Sequence, residues 1–159
     1  MEHHYALTME WTGDQGTGTD HYRSYKRDHV IRIDGKPDLP GSADPHFRGD
    51  RTRYNPEELL LAALSACHMM SYLHVCATHG VVVTGYVDQA TGTMNTVGDG
   101  GHMTEVVLRP SVTVQHAEMV DHALELHELA TDLCFIARSV NFPVRHQAQC
   151  TVAQRPLQE

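Results

Sequence analysis

A chain of 159 residues with 41% hydrophobic content reads as one globular domain, residues 1–159, long enough to bury about two-thirds of its unfolded surface. Its formal charge of −8 excludes roles that rest on basic clusters, namely non-specific binding to nucleic acid or to anionic membranes. No apolar run approaches the roughly 20 residues of a membrane-spanning helix, and Met1 to Tyr5 has no apolar secretory core. A cytoplasmic protein is therefore expected, in which four cysteines are thiols rather than a disulfide scaffold.

Residues 3–11 alternate loosely and predict a first strand, followed by a polar turn from Gly13 to Gly18. Tyr22 to Ile33 predicts a second strand, and Asp34-Gly35 is a hairpin signal. Pro37, Pro40 and Pro45, with Gly41 and Gly49, make residues 37–54 an ordered loop.

The strongest helical pattern runs from Asn55 to about His79. Asn55 suits the N-cap, Pro56 the first helical position and Glu58 the capping-box acid, and Gly80 suits the residue just past the end. Its leucines, methionines and Val75 cover nearly the whole circumference, the pattern of a helix wrapped by sheet or by a second subunit. Val81 to Met94 and His102 to Gln115 predict two strands joined at Gly98-Asp99-Gly100-Gly101. Ala117 to about Arg138 predicts the second long helix, and Pro143 to Val152 a closing strand. The order is that of an α+β fold, with a mainly antiparallel sheet around two long helices.

Each helix carries a notable cysteine. Cys67 and Cys134 have 66 residues between them. Each reads either as a buried inert thiol or as half of a reactive pair. Reactivity at Cys67 needs a cation, and none sits on the same helical turn, so Arg23, Arg27, Arg32, Arg51 and Arg53 are the candidates. Cys76, nine residues after Cys67, is half a turn out of phase with it, and Cys150 lies near the end of the closing strand; both read as bystanders. The 13 histidines show no i, i+4 pair among His68, His74, His79, His122 and His127, so no dedicated metal site and no cofactor is expected.

The segment Asn55-Pro56-Glu57-Glu58-Leu59-Leu60-Leu61-Ala62-Ala63-Leu64-Ser65-Ala66-Cys67 resembles the first cysteine motif of the OsmC/Ohr superfamily of thiol-dependent hydroperoxide reductases. Cys134-Phe135-Ile136-Ala137-Arg138-Ser139-Val140-Asn141-Phe142-Pro143-Val144 resembles the second-cysteine segment of its OsmC-like branch. It departs from the Cys-Pro-Tyr-Ser type of the organic hydroperoxide resistance branch. The resemblance covers nearly the whole chain. It implies an intertwined homodimer with two interfacial sites, a peroxidatic Cys67, a resolving Cys134, and assistance from Glu57 and an N-terminal arginine. Arg27 in Tyr25-Lys26-Arg27-Asp28-His29 is the first choice and Arg23 the fallback.

The chemistry implied is attack of a Cys67 thiolate on an organic hydroperoxide, a sulfenic acid, a Cys67–Cys134 disulfide, and reset by a dithiol reductant, with a lipoyl-type dithiol as the candidate. Arginine fits the thiolate because it stays charged and offers several donors in a fixed fork. Leucine and methionine beside Cys67 would favour peroxides with alkyl tails. The rival is a non-catalytic, stress-induced protein of the same fold that binds an apolar ligand at the dimer interface; a redox sensor without turnover is a third reading. Glu57 and Cys67 are ten residues apart, about 15 Å along a straight helix and about 80° out of phase. Either the helix breaks between them or a second subunit supplies the glutamate. The small residues Ala62, Ala63, Ser65 and Ala66 favour the second arrangement.

Overall fold

Asn55 and Glu58 open the longest element of the chain. In the computed structural model, which describes residues 1–154, the Asn55 side-chain oxygen accepts from the Glu58 N–H (2.8 Å), and the Glu58 carboxylate accepts from the Asn55 N–H (3.1 Å). This reciprocal capping box satisfies two otherwise orphaned donors. Helix α1 (Pro56–Thr78) then runs unbroken for 23 residues. Gly80 ends it with φ of 75°, a left-handed conformation cheap only for glycine, while the Val81 N–H closes back onto the Cys76 carbonyl at 2.9 Å.

Two compact units divide at Leu60. In the first, β1 (Thr8–Trp11), β2 (His29–Arg32) and β3 (Leu39–Gly41) form an antiparallel sheet with Thr8 opposite Arg32 and Ile31 opposite Leu39. The expected strand from Tyr22 is shorter because the residues ahead of His29 satisfy their polar groups in turns. The Asp14 carboxylate accepts from the N–H groups of Gly16 (2.8 Å) and Gly18 (2.9 Å), and Trp11 Nε1 donates to the Lys26 carbonyl (2.8 Å). The proline-rich loop is ordered around Ser42, which is fully buried. Its hydroxyl donates to Asp28 (3.0 Å) and accepts from the Asp50 N–H (3.0 Å).

In the second unit, β4 (Val83–Asp88), β5 (Thr91–Val97), β6 (Gly100–Leu108) and β7 (Pro110–Val114) precede α2 (Val120–Leu133), which is followed by β8 (Val144–His146) and β9 (Gln149–Val152). Two sheets result, ordered β4-β7-β9 and β5-β6-β8. The three long strands expected from sequence thus each break in the middle and change sheets. Asp88 holds the corner, its carboxylate accepting from the Arg109 N–H (2.6 Å) and the Ser65 hydroxyl (2.5 Å). Pro110, which has no N–H for the ladder, stands at the first position of β7. The pairings β4·β7 and β5·β6 are antiparallel, while β6·β8 and β7·β9 are parallel. The architecture is α+β, with two helices and mainly antiparallel sheets.

The core of this unit joins Tyr72, Val75 and Cys76 of α1 to Val81, Val112, Val114 and to Ala123, Leu126 and Ala130 of α2. α2 stops at Leu133, earlier than expected: Cys134 turns extended (φ −74°, ψ 106°), and Arg138 lies in a separate short 3-10 turn. α1 is long and apolar enough to cross a membrane by length and composition, which the sequence reading had not anticipated. Its buried polar side chains, His68 and Tyr72, are nonetheless hydrogen bonded to α2, as in a core helix. A stripe of α1 remains exposed along Ala63, Ala66, Met70, Leu73 and Ala77.

Candidate functional site

Cys67 lies one helical turn beyond the fully buried Leu64, and Cys134 forms the C-cap of α2. Both are nearly or wholly buried, and all four cysteines of the chain are free thiols. The two thiols are neighbours, close enough that Cys67 helps to raise Cys134. Burial pushes the Cys134 thiol up to about 11, opposed by the backbone N–H groups of Ala137 and Ile136 and reinforced by the Cys67 contact. The early end of α2 is what aims those two amides at the sulfur. Cys134 is therefore a thiol at neutral pH.

Two further polar contacts join the same helices. His68 Nε2 lies 3.0 Å from His127 Nδ1, and the Tyr72 hydroxyl donates to the Ala123 carbonyl at 2.9 Å. Read along α1, the contacts Cys67, His68, Tyr72 meet Cys134, His127, Ala123, so the helices face each other in antiparallel order. The rings stack: Tyr72 on His127 with centroids 3.9 Å apart, and His68 on His127 at 5.3 Å. His146 of β8 stands beside both, with Nδ1 3.3 Å from the Thr131 hydroxyl and Nε2 3.3 Å from Glu128. Burial pushes His68 down to about 4 and His127 down to about 3, so both imidazoles are neutral at physiological pH.

Sequence reasoning missed this ladder. Its available signal was the spacing of His127 and Cys134, seven residues and so one face of α2. Among the described residues no group of three or more histidine, cysteine or carboxylate side chains is arranged to hold a metal ion.

The remaining predicted residues sit as follows. Arg27 is fixed within its own unit. Its guanidinium donates to the carbonyls of Tyr25 (2.6 Å) and Tyr22 (2.8 Å) and lies over both rings, 4.0 Å and 4.4 Å from their centroids. Arg53 donates to the His29 carbonyl (3.3 Å) and approaches Asp28 (4.0 Å). Glu57, half-buried, occupies the first turn of α1. Because α1 is continuous, no helix break brings Glu57 to Cys67. Cys76 and Cys150 lie in or against the core, both raised by burial, as inert thiols are. An open cavity of about 420 Å³ next to Cys134 is lined by Thr131, Asp132, Ala137 and Arg138.

A family profile described as OsmC-like protein matches residues 49–149, from the loop before α1 to the start of β9 and across both cysteines. The chain belongs to the OsmC-like family. Among solved structures, an OsmC-like protein of unknown function from Vibrio cholerae is 31% identical and superposes with a TM-score of 0.82 over 93% of this chain and 100% of that one. A Legionella pneumophila structure described as an organic hydroperoxide resistance protein OsmC is 15% identical, with a TM-score of 0.62 over 96% of this chain and 100% of that one. That likeness is one of fold. The Bacillus subtilis protein YmaD, itself uncharacterised, is 24% identical over 155 residues, 95% of each chain.

Proposed function

We propose that this OsmC-like chain is a thiol peroxidase that reduces organic hydroperoxides, with Cys67 as the attacking and Cys134 as the resolving thiol. The observation that carries the reading is that the two buried thiols, one from α1 and one at the end of α2, are neighbours. The description of the Legionella pneumophila structure as an organic hydroperoxide resistance protein supports the substrate class.

The roles divide by environment. Cys134, pushed up to about 11, keeps its proton and suits the resolving role. The Cys67 thiolate attacks the distal oxygen of R–O–O–H. The O–O bond breaks, R–O⁻ leaves and takes a proton to become the alcohol, and Cys67 becomes a sulfenic acid. The Cys134 sulfur then displaces the hydroxyl, which leaves with the Cys134 proton as water, and a disulfide forms. A dithiol of the lipoyl type reduces it by exchange, ending as a cyclic disulfide.

Arg27 is the proposed activating cation, held by two carbonyls and two rings with further N–H donors to spare. The working form is a homodimer in the reducing cytoplasm. The exposed stripe on α1, spaced alternately by three and four residues, has the pattern of a helix that packs against another helix. An antiparallel crossing near Ala62 and Ala63 about a twofold axis would carry Glu57 of one subunit to Cys67 of the other and build two sites at once. The decisive assay follows consumption of cumene hydroperoxide with dihydrolipoamide as reductant. Wild type should turn over, and Cys67→Ser should not. Equal rates for the two would end the reading.

A further inference from the structure

We propose that His68 and His127 are positioning residues: their hydrogen bond sets the register of α1 on α2 and so holds the Cys67 and Cys134 sulfurs within bonding reach. The inference rests on the thiol-pair reading above and deepens it.

The argument begins with what apolar packing cannot do. Burial of leucine, valine and alanine is non-directional and changes little when one helix slides along another. A slip of one turn moves a side chain about 5.4 Å. A disulfide tolerates far less, since its Cα atoms stand about 4.4–6.8 Å apart. Something directional must fix the register; the Tyr72–Ala123 hydrogen bond shares in this farther along the helices, and the imidazole pair lies beside Cys67 itself.

The imidazole pair is directional. His127 lies seven residues before Cys134, which is two turns and about 20° short of full alignment on α2. His68 follows Cys67 directly on α1. Any sliding that separates the sulfurs therefore separates the rings. Both rings are shut off from solvent, at 2% and 0% exposure, so a broken hydrogen bond leaves two buried polar groups without water to replace it. His127 is especially dependent on the contact, because its other ring nitrogen, Nε2, has no hydrogen-bond partner. Stacking on Tyr72 at 3.9 Å fixes the His127 ring plane. Both imidazoles are neutral, so one ring nitrogen donates and the other accepts, and the bond forms only where Nε2 of His68 meets Nδ1 of His127. A single buried polar contact among apolar ones specifies helix register elsewhere by the same logic.

The test measures disulfide closure in the whole protein without peroxide. Diamide takes two electrons and two protons from a thiol pair, leaving a disulfide and a hydrazine, and so reads sulfur approach directly. In His68→Leu/His127→Leu both polar partners are gone, so no buried group is orphaned and the melting temperature should stay near that of wild type. Closure should nevertheless slow by at least about tenfold, because the sulfurs lose their imposed register. His68→Gln/His127→Asn, which keeps a hydrogen bond between the helices, should close within about threefold of wild type.

A double leucine variant that closes at the wild-type rate overturns the proposal. Should that variant fail to fold, His68→Gln/His127→Asn is compared with His68→Gln/His127→Leu, which lacks the bond; equal rates overturn it again. Wild type that forms the disulfide but consumes no peroxide leaves the positioning role standing and removes the peroxidase reading. Wild type that forms no disulfide removes both.

Discussion

Cys67 and Cys134 are neighbouring buried thiols across the contact between α1 and α2, and burial holds the proton on Cys134. The proposed roles assign different fates to the two thiols. In Cys134→Ser, one equivalent of cumene hydroperoxide should leave a sulfenic acid on Cys67 that dimedone traps, with a single turnover. In Cys67→Ser, neither product should form. Trapping on Cys134 in place of Cys67 would reverse the assignment.

Arg27 is held as a fork by the Tyr22 and Tyr25 carbonyls. If it activates Cys67, Arg27→Ala should slow peroxide reduction by roughly two orders of magnitude or more, the scale of losing one preorganised charge partner. Arg27→Lys should recover only part, since one ammonium nitrogen lacks the planar fork that spans both carbonyls. Thiol alkylation against pH in each variant separates loss of activation from loss of folding. A full effect from Arg53→Ala or Arg23→Ala with none from Arg27→Ala would move the role.

The buried imidazoles make stability depend on pH. His68 and His127 are depressed to about 4 and about 3, against 6.5 in an unfolded chain. Below pH 6.5 the unfolded chain takes up protons that the native state refuses. Stability is thus fully present above pH 6.5 and is lost as pH falls toward 4 and 3. Burial dominates. His146 adds repulsion on both rings, Asp88 partly offsets the shift at His68, and Tyr72, Tyr86 and Glu128 complete the surroundings. Urea midpoints should drop steadily from pH 7 to 4.5 in wild type and flatten in the double leucine variant. A wild-type midpoint constant over that range would contradict the burial argument.

Tyr72 is fully buried and donates to the Ala123 carbonyl. Tyr72→Phe keeps the ring and its stack on His127 but removes the donor. Chemical denaturation should show a loss of about 1 kcal/mol, the usual net value of one buried hydrogen bond. No loss would mean the Tyr72–Ala123 contact contributes nothing to the packing of α1 on α2.

The continuous α1 leaves the partner subunit as the proposed source of the glutamate. Co-refolding inactive Glu57→Ala with inactive Cys67→Ser should restore about one working site per heterodimer, as a twofold composite site requires. Sedimentation should find dimers in both parents. Mixtures as inactive as their parents would exclude a shared site.

Much of this was legible in the sequence, and what was not had physical reasons. Asn55, Pro56, Glu58 and Gly80 marked the ends of α1 because caps are local chemistry, each satisfied within five residues. The breaks at Asp88 and Arg109 were hidden, because a strand that changes sheets keeps its alternation on both sides of the corner. Phe135 and Ile136 extended an apolar pattern past Leu133, yet Phe135 is exposed and the backbone had already turned at Cys134. The histidine ladder was hidden for a related reason. His68 and His127 are 59 residues apart, and a single polar residue in an apolar stretch does not announce its partner.

The central claim is that Cys67 and Cys134 act as one redox pair. Peptide mass spectrometry after one equivalent of cumene hydroperoxide on the reduced wild-type protein tests it most directly. The account predicts a disulfide between Cys67 and Cys134, with Cys76 and Cys150 still reduced. A persistent sulfenic acid on Cys67 without that disulfide, or a disulfide that uses Cys76 or Cys150 instead, would contradict it.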